Sequence, residues 1–519
     1  MSFGVLSLLP PLLAIGLSFW TRNVLLSLFV AVFVGATMLA GYNPAEGFVS
    51  TLRDYLFDKL GDPDNASIAL MMLLVGVFST LLERGGAATA LLTAVRDRVK
   101  NPSQGQVMTW IGGLLIWFSD SSNAVILGPI VRPVTDRVRV SREKLAYLLD
   151  ATAATVPSLL PITAWGAFIL GILAETLPEG VSPMQSFISA VPFHLYTIGA
   201  LLLVLVIALT GWDFGPMRRA EQRARTTGVV LSTREADEAA PVSAPELPEG
   251  ARPTIWGMIV PVGVMVIALF TTLWYTGAQK EHEGVLDAIL QGSTMVGLVS
   301  GFFWASVAAT IFAVRARAIR TSEIGTLWMD GFRSMVEVVL ILVLAWSIGA
   351  VTTDVGAPEF IVQLTQGDVN PAIVFVLIFL AACGIAFATG SSWGTFAIIL
   401  PIAIPVAIAT GVGLAPAIGA SIAGGVFGDH CSPISDTTIL ASFGAGCDHL
   451  EHVRTQMPYA VVAAGSLLGY VVAGYTHNGA LSLTVTLVLM VLFVFVISRI
   501  DKHRHPDQVE HTQEIPLVA

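Results

Sequence analysis

Charge is scarce in this sequence. Of its 519 residues, 12% are Asp, Glu, Lys or Arg and 54% are hydrophobic, and the mean hydropathy is +0.76. A soluble domain carries about a quarter charged residues, so an aqueous surface around the whole chain is excluded. Cysteine is scarce as well. Cys383, Cys431 and Cys447 lie in or near apolar stretches, and three thiols make no disulfide framework. The alternating ten-residue segments of a membrane barrel are missing. Met1–Trp20 has neither a basic start nor an A-x-A-like exit, so it is expected to be a first span and not a cleaved signal. The net charge of −10 decides little, because the acidic residues sit largely in loops and the tail.

What the chain has in quantity is apolar segments long enough for a bilayer, which takes about 20 residues of helix. Segments 4–20, 23–42, 67–83, 190–211, 254–275, 291–314, 334–350, 456–475 and 480–498 qualify or nearly do. They are expected to be helices, because lipid leaves backbone groups no other partner. Lysine and arginine then orient them. Clusters follow the third span (Arg84 to Lys100), fill 132–144, 218–252 and 315–333, and recur at Arg454 and Arg499–Arg504. With these and Arg22 in the cytoplasm, Arg53, Lys59 and Lys280 remain outside. The N-terminus is thereby expected outside and the C-terminus in the cytoplasm.

That assignment exposes a segment that does not cross. Lys100 and Arg132 lie on one side, yet the stretch between them is apolar around Phe118-Ser-Asp-Ser-Ser-Asn123. A segment that enters and leaves on one side is a re-entrant hairpin, tolerated where its tip is buried in protein. The next stretch must cross while carrying Asp150, Pro157 and Pro161, so it is expected to be a helix broken near the midplane. The second half repeats the pattern with opposite polarity. A hairpin surrounds Thr389-Gly-Ser-Ser-Trp-Gly-Thr395, and a broken helix contains Gly428-Asp-His-Cys-Ser-Pro-Ile-Ser-Asp-Thr-Thr438. Pro161-Ile-Thr163 matches Pro433-Ile-Ser435 in the same relative place.

The fold class expected is therefore an all-α polytopic membrane protein with two inverted repeats, each with a hairpin and a broken helix, in about 11 full spans plus 2 hairpins. The first repeat covers 1–212, with hairpin 106–132 and broken helix 144–174. A polar linker, 213–253, is expected in the cytoplasm and poorly ordered. The second repeat covers 254–476, with hairpin 371–410 and broken helix 414–447. An extra span at 477–499 leads to a cytoplasmic tail, 500–519.

Ionisable groups at membrane depth are expensive, and so point to function. Asp429, Asp436, Ser432, Ser435 and Thr437 are the leading ion ligands, joined by Asp120 and Asn123 from the first hairpin tip. Where a helix unwinds, carbonyl, hydroxyl and carboxylate oxygens replace the hydration shell of sodium, and a carboxylate can instead take the competing proton. The bland alternative is that these groups cap the two half-helices. Ser121, Ser122, Thr389, Ser391, Ser392, Thr395 and Thr163 are expected at the hairpin tips or the substrate, against the alternative of polar turns satisfying their own backbone. Asp150 reads equally as structural or ion-coupling. Glu337 reads as interfacial before proton relay, and Trp165 and Trp393 as packing before path lining. Cys447, Asp448, His449, Glu451 and His452 look like a metal box, but no second cluster stands at ligand spacing; a gate or pH-sensing end is the other reading.

The run Phe427-Gly-Asp-His-Cys-Ser-Pro-Ile-Ser-Asp-Thr-Thr-Ile-Leu440, with Arg132-Pro-Val-Thr-Asp136, Ser141-Arg-Glu-Lys-Leu145 and Leu8-Leu-Pro-Pro-Leu-Leu-Ala14, resembles the NhaC-type sodium/proton antiporter family. The resemblance covers most of the chain. It implies the wider ion-transporter superfamily, whose relatives look like dimeric elevator transporters. Where many relatives carry D-D-x-x-N at the first hairpin tip, this chain has Ser119-Asp120-Ser121-Ser122-Asn123, one carboxylate fewer. The expected function is sodium/proton antiport in the cell inner membrane, and the alternative is a sodium- or proton-coupled carrier of a small amino acid or carboxylate. No cofactor is expected beyond sodium and protons as transported or coupling ions. The expected partners are the lipid bilayer, a second copy and a small ion or organic solute, with no nucleic acid. An enzyme is not expected. Intramembrane proteolysis, suggested by Gly428-Asp429 and by Tyr147 near Asp150, fails because G-x-G-D needs Gly where Val426 stands.

Overall fold

The computed structural model describes residues 3–87, 89–90, 99–118, 120, 123–231, 247–248, 250–279, 284–285, 288, 292–357, 359–360 and 370–504. Ser119, Ser121, Ser122, Lys280 and the tail beyond 504 thus lie outside the described residues. The chain is all-helical, as expected, with no strand among the described residues. Among the described residues, ten helices are long and apolar enough to cross a membrane, or up to 12 if each of two bent pairs is one span.

Two units of paired helices and two interrupted helices build the centre. The first unit pairs Pro102–Leu115 with Gly128–Arg137, and the second pairs Pro371–Thr389 with Ser392–Thr410. Gly390, at φ +66°, makes the second turn. This left-handed conformation costs glycine little. An added Cβ there would also come within 2.5 Å of the Ile434 carbonyl, so the turn sits directly on the gap of the second interrupted helix.

The two interruptions have one physical cause. A residue before proline is pushed out of the helical region. Leu160, before Pro161, sits at φ −114°, ψ 125°, and Ser432, before Pro433, at φ −83°, ψ 124°. Two residues after each proline a hydroxyl restarts the helix. Thr163 Oγ1 accepts from the Gly166 N–H at 2.9 Å, and Ser435 Oγ accepts from the Thr438 N–H at 3.4 Å. The Pro-Ile-Thr and Pro-Ile-Ser matches are therefore the same stop-and-restart device used twice. Around the first gap the helix bends by 41° between Arg142–Leu159 and Ala164–Thr176.

The second interrupted helix packs backbone to backbone on its hairpin. A Cβ on Gly424 would meet the Phe379 carbonyl at 2.4 Å, and one on Gly428 the Cys383 carbonyl at 2.2 Å. Small residues allow such approach, which packs helices in lipid where hydrophobic burial gives no drive.

The linker departs from expectation. Within 213–253, Gly215–Thr227 is a helix that docks on the start of the first interrupted helix; residues 232–246 lie outside the described set. Glu221, 2% exposed, accepts from both the N–H and the hydroxyl of Ser141 at 2.8 Å. Arg223 donates to Glu143, Arg218 to Asp501, and buried Lys144 pairs with Asp213. Polar composition suggested disorder, but these charges are buried and hold each other in place. Replacing Glu221 with Ala orphans the Ser141 donors. We expect a loss of about 1–3 kcal/mol, seen as a lower melting temperature and as faster tryptic cleavage after Arg223 and Arg225 in detergent-purified protein.

Candidate functional site

The second gap carries the densest polar chemistry. Asp429 ends the half-helix Leu414–Cys431 and is 1% exposed. Its Oδ2 accepts from Thr437 Oγ1 at 3.2 Å, while Oδ1 is buried without a hydrogen-bond partner. Ser435 Oγ lies 3.0 Å from Thr437 Oγ1, so Asp429, Ser435 and Thr437 form one oxygen cluster. Ser432 is buried but engaged elsewhere: its hydroxyl donates to the Phe387 carbonyl at 2.8 Å, tying the gap to the second hairpin. Asp436 opens the next half-helix, Asp436–Ala445, and is exposed. Its Oδ1 accepts from the Thr437 N–H at 2.9 Å.

The first hairpin tip and the first gap meet through an indole. Trp165 Nε1 donates to Asp120 Oδ2 at 2.9 Å, and the Trp165 ring lies 5.5 Å from that of Trp393. Trp393 belongs to the second hairpin, so this pair joins both tips to the first interrupted helix. Asn123 is fully buried; Nδ2 donates to the Gly113 carbonyl at 3.1 Å, and Oδ1 has no hydrogen-bond partner. Several sequence candidates serve the backbone instead. Thr163 donates to the Pro157 carbonyl at 2.7 Å, Thr389 to Ile385 at 2.8 Å and Thr395 to Ser391 at 2.8 Å. Ser391 caps its helix by accepting from the Gly394 N–H at 3.3 Å. Ser392 is buried, with its hydroxyl 3.5 Å from the Gly425 carbonyl.

Asp150 proves central. It is fully buried, and its Oδ2 accepts from Thr438 Oγ1 at 2.9 Å and Gln456 Nε2 at 2.6 Å. Its Oδ1 has no hydrogen-bond partner. These bonds tie the first interrupted helix to the second and to the helix His449–Ala463. His430, also buried, places Nδ1 3.0 Å from the Tyr196 hydroxyl. Gln456 and Tyr196 escaped the sequence reading. The four-residue spacing of His452 and Gln456 on one helix face was a usable signal; Tyr196 offered none.

Electrostatically the site is one-sided. Asp436 and Asp150 both act on Asp429, and Asp120 and Asp150 both act on Asp436. Among the described residues, no Lys or Arg pairs with Asp150, Asp429 or Asp436. Asp150 and Asp429 are buried, and uncompensated buried carboxylates cost several kcal/mol each. The oxygens gathered at the second gap come from the carboxylate of Asp429 and the hydroxyls of Ser435 and Thr437.

The profile of the Na+/H+ antiporter family matches residues 158–475. An uncharacterized protein of Haemophilus influenzae is 33% identical over 512 residues, 96% of each chain. The malate-2H(+)/Na(+)-lactate antiporter of Bacillus subtilis is 32% identical over 153 residues, 29% of this chain and 32% of its own. The YdaH transporter of Alcanivorax borkumensis shares the fold, with TM-score 0.54 at 15% identity over 83% of this chain and 88% of that one. With a family match that spans both interrupted regions from Ser158 onward, this multi-pass membrane protein belongs to the Na+/H+ antiporter family of secondary transporters.

Proposed function

We propose that this transporter exchanges sodium ions for protons by alternating access. The observation that carries this reading is Asp429, buried at a helix gap with one carboxylate oxygen bound by Thr437 and the other without a hydrogen-bond partner. A carboxylate so placed holds sodium or a proton, but not both, and that exclusion is the core of antiport. Ser435 and Thr437 supply further oxygens, with Asp436 at the solvent-facing end. Asp120 and Asn123 bring charge and an amide oxygen from the first hairpin tip.

Two interrupted helices and two hairpins at one centre suit inverted repeats, residues 1–212 and 254–476, that rock the site from one face to the other. In this reading the transporter works as an elevator-like homodimer in the cell inner membrane, with its N-terminus outside and its C-terminus in the cytoplasm. A second reading, sodium- or proton-coupled carriage of a small carboxylate or amino acid, is favoured by the Trp165–Trp393 pair beside Asp120. Indoles give an organic solute a face to lie on, and the partial relative from Bacillus subtilis is named for malate and lactate.

Proteoliposomes separate the two. A sodium gradient is imposed, internal pH is followed with a dye, and uptake of labelled carboxylic and amino acids is measured in parallel. Sodium-driven proton movement without solute supports antiport. Sodium that moves no protons but drives uptake of one solute overturns it in favour of the second reading.

A further inference from the structure

Beside the Asp429 cluster lies a chain of side chains with more acceptors than hydrogens. Gln456 fixes its sense. Its Nε2 faces two pure acceptors, Asp150 Oδ2 at 2.6 Å and the His430 carbonyl at 2.8 Å. Its Oε1 therefore faces His452 Nε2 at 2.9 Å, and that nitrogen must carry hydrogen. His449 Nε2 lies 2.6 Å from the Pro433 carbonyl and must do the same. In neutral imidazoles each Nδ1 is then an acceptor. Both face Ser442 Oγ, His452 at 2.9 Å and His449 at 3.1 Å. Ser442 Oγ also lies 2.8 Å from the Thr438 carbonyl. One hydroxyl hydrogen thus serves several acceptors, and His452 Nδ1, the fully buried one, goes unmet whenever Ser442 donates to His449 or to the Thr438 carbonyl, which is costly. Added protons on the imidazoles resolve the conflict, because a protonated Nδ1 donates to Ser442.

We propose that His452 is a proton-binding site of the transport cycle, held as imidazolium between Ser442 and Gln456, with Asp150 as counter-charge, and separate from the ion cage at Asp429. His452 is fully buried, and burial opposes charge on it. The Asp150 carboxylate 3.8 Å away supplies the compensation, and its second oxygen has no hydrogen-bond partner. The other titratable groups acting on His452 are His430 from the second interrupted helix and His449 from its own. Several charges on the neighbouring helices have partners of their own, Arg142 with Asp136 among them. Glu221 binds Ser141, Arg223 binds Glu143, Lys144 and Tyr459 bind Asp213, and Asp501 binds Arg218. Tyr196 binds His430.

The chain also provides a route in. His449 is half-buried and His452 fully buried, with Ser442 between them. A proton from water adds at His449 Nδ1. That N–H then passes its hydrogen to Ser442 Oγ as the Ser442 hydrogen moves to His452 Nδ1. One N–H breaks at His449, one forms at His452, and Ser442 is again a hydroxyl.

Coupling to transport rests on the sodium/proton reading; proton binding itself does not, and the test has an arm for each. In the first arm, full-length protein labelled with 15N-histidine in nanodiscs is titrated without sodium from about pH 9 to about pH 5. One of the nine histidines, absent from H452Q, is expected to gain a second N–H over this range. In S442A the same step is expected about one pH unit lower, since a donor to the charged form is favoured by its acceptor. A His452 that keeps a bare Nδ1 throughout, or that titrates identically in S442A, overturns the proposal. In the second arm, H452Q in proteoliposomes is expected to retain sodium/sodium exchange within about twofold while sodium-driven proton flux falls roughly tenfold or more. Unchanged proton flux in H452Q overturns the coupling. Absence of proton flux in the unaltered protein instead counts against the sodium/proton reading, and the titration then decides the site alone.

Discussion

Asp429→Asn is expected to lower sodium-dependent transport by about a hundredfold or more, equivalent to roughly 2.7 kcal/mol. The substitution keeps size and shape, and the Asn carbonyl still accepts from Thr437 Oγ1, so the local fold is preserved. What disappears is the negative charge. A cation that leaves water for a buried site loses its hydration, and hydroxyl and amide oxygens alone do not replace that loss. In the proposed sodium/proton reading, proton exchange at this position is lost with the carboxyl group, so both halves of the exchange are expected to fall together. Sodium-22 uptake into proteoliposomes and sodium titration calorimetry on purified protein measure the effect. Normal uptake by D429N, at normal expression and melting temperature, sinks the assignment. Asp436→Asn is expected to have a smaller effect, because Asp436 is exposed and its Oδ1 already binds the Thr437 N–H.

The second large effect is on stability. Lys144 is fully buried and pairs with Asp213, which is 4% exposed. Asp213 also accepts from the Tyr459 hydroxyl at 2.8 Å, and the Lys144 ammonium lies 5.3 Å from the centre of that ring. Lys144→Met leaves Asp213 buried and unpaired, a change that costs about 3–5 kcal/mol. The melting temperature of detergent-purified protein is expected to fall by several degrees, with poor recovery of folded material. Adding Asp213→Asn removes the orphaned charge and is expected to restore most of the loss. If the double variant is no more stable than K144M, the pair is not what holds the linker helix to the first interrupted helix.

The two gaps show how far one-dimensional reasoning reaches. Pro161 and Pro433 limit the residue before them, and Thr163 and Ser435 restart the helix, all within five residues of chain. Such local rules need no partner, so the interruptions were readable from the sequence. Asp429, Ser435 and Thr437 lie within nine residues and were readable as a cluster for the same reason. The linker was misread in part because Arg- and Glu-rich composition looks solvated until the partners Ser141, Glu143 and Asp501 are seen, up to 283 residues away.

By itself, the sequence determined the helical membrane class, the two gaps and the identity of the carboxylates. Hydropathy, proline sterics and the cost of charge in lipid act on residues that are near one another in the chain. Only the tertiary structure decided which polar groups face each other. Asp150 meets Thr438 across 288 residues and Gln456 across 306, and Trp165 links Asp120 to Trp393. It also separated groups left with no hydrogen-bond partner, such as one oxygen of Asp429, from hydroxyls already committed to the backbone, such as those of Thr395 and Thr163. A hydrogen bond depends on where two atoms end up in space, and spacing along the chain does not encode that once the partners lie on different helices.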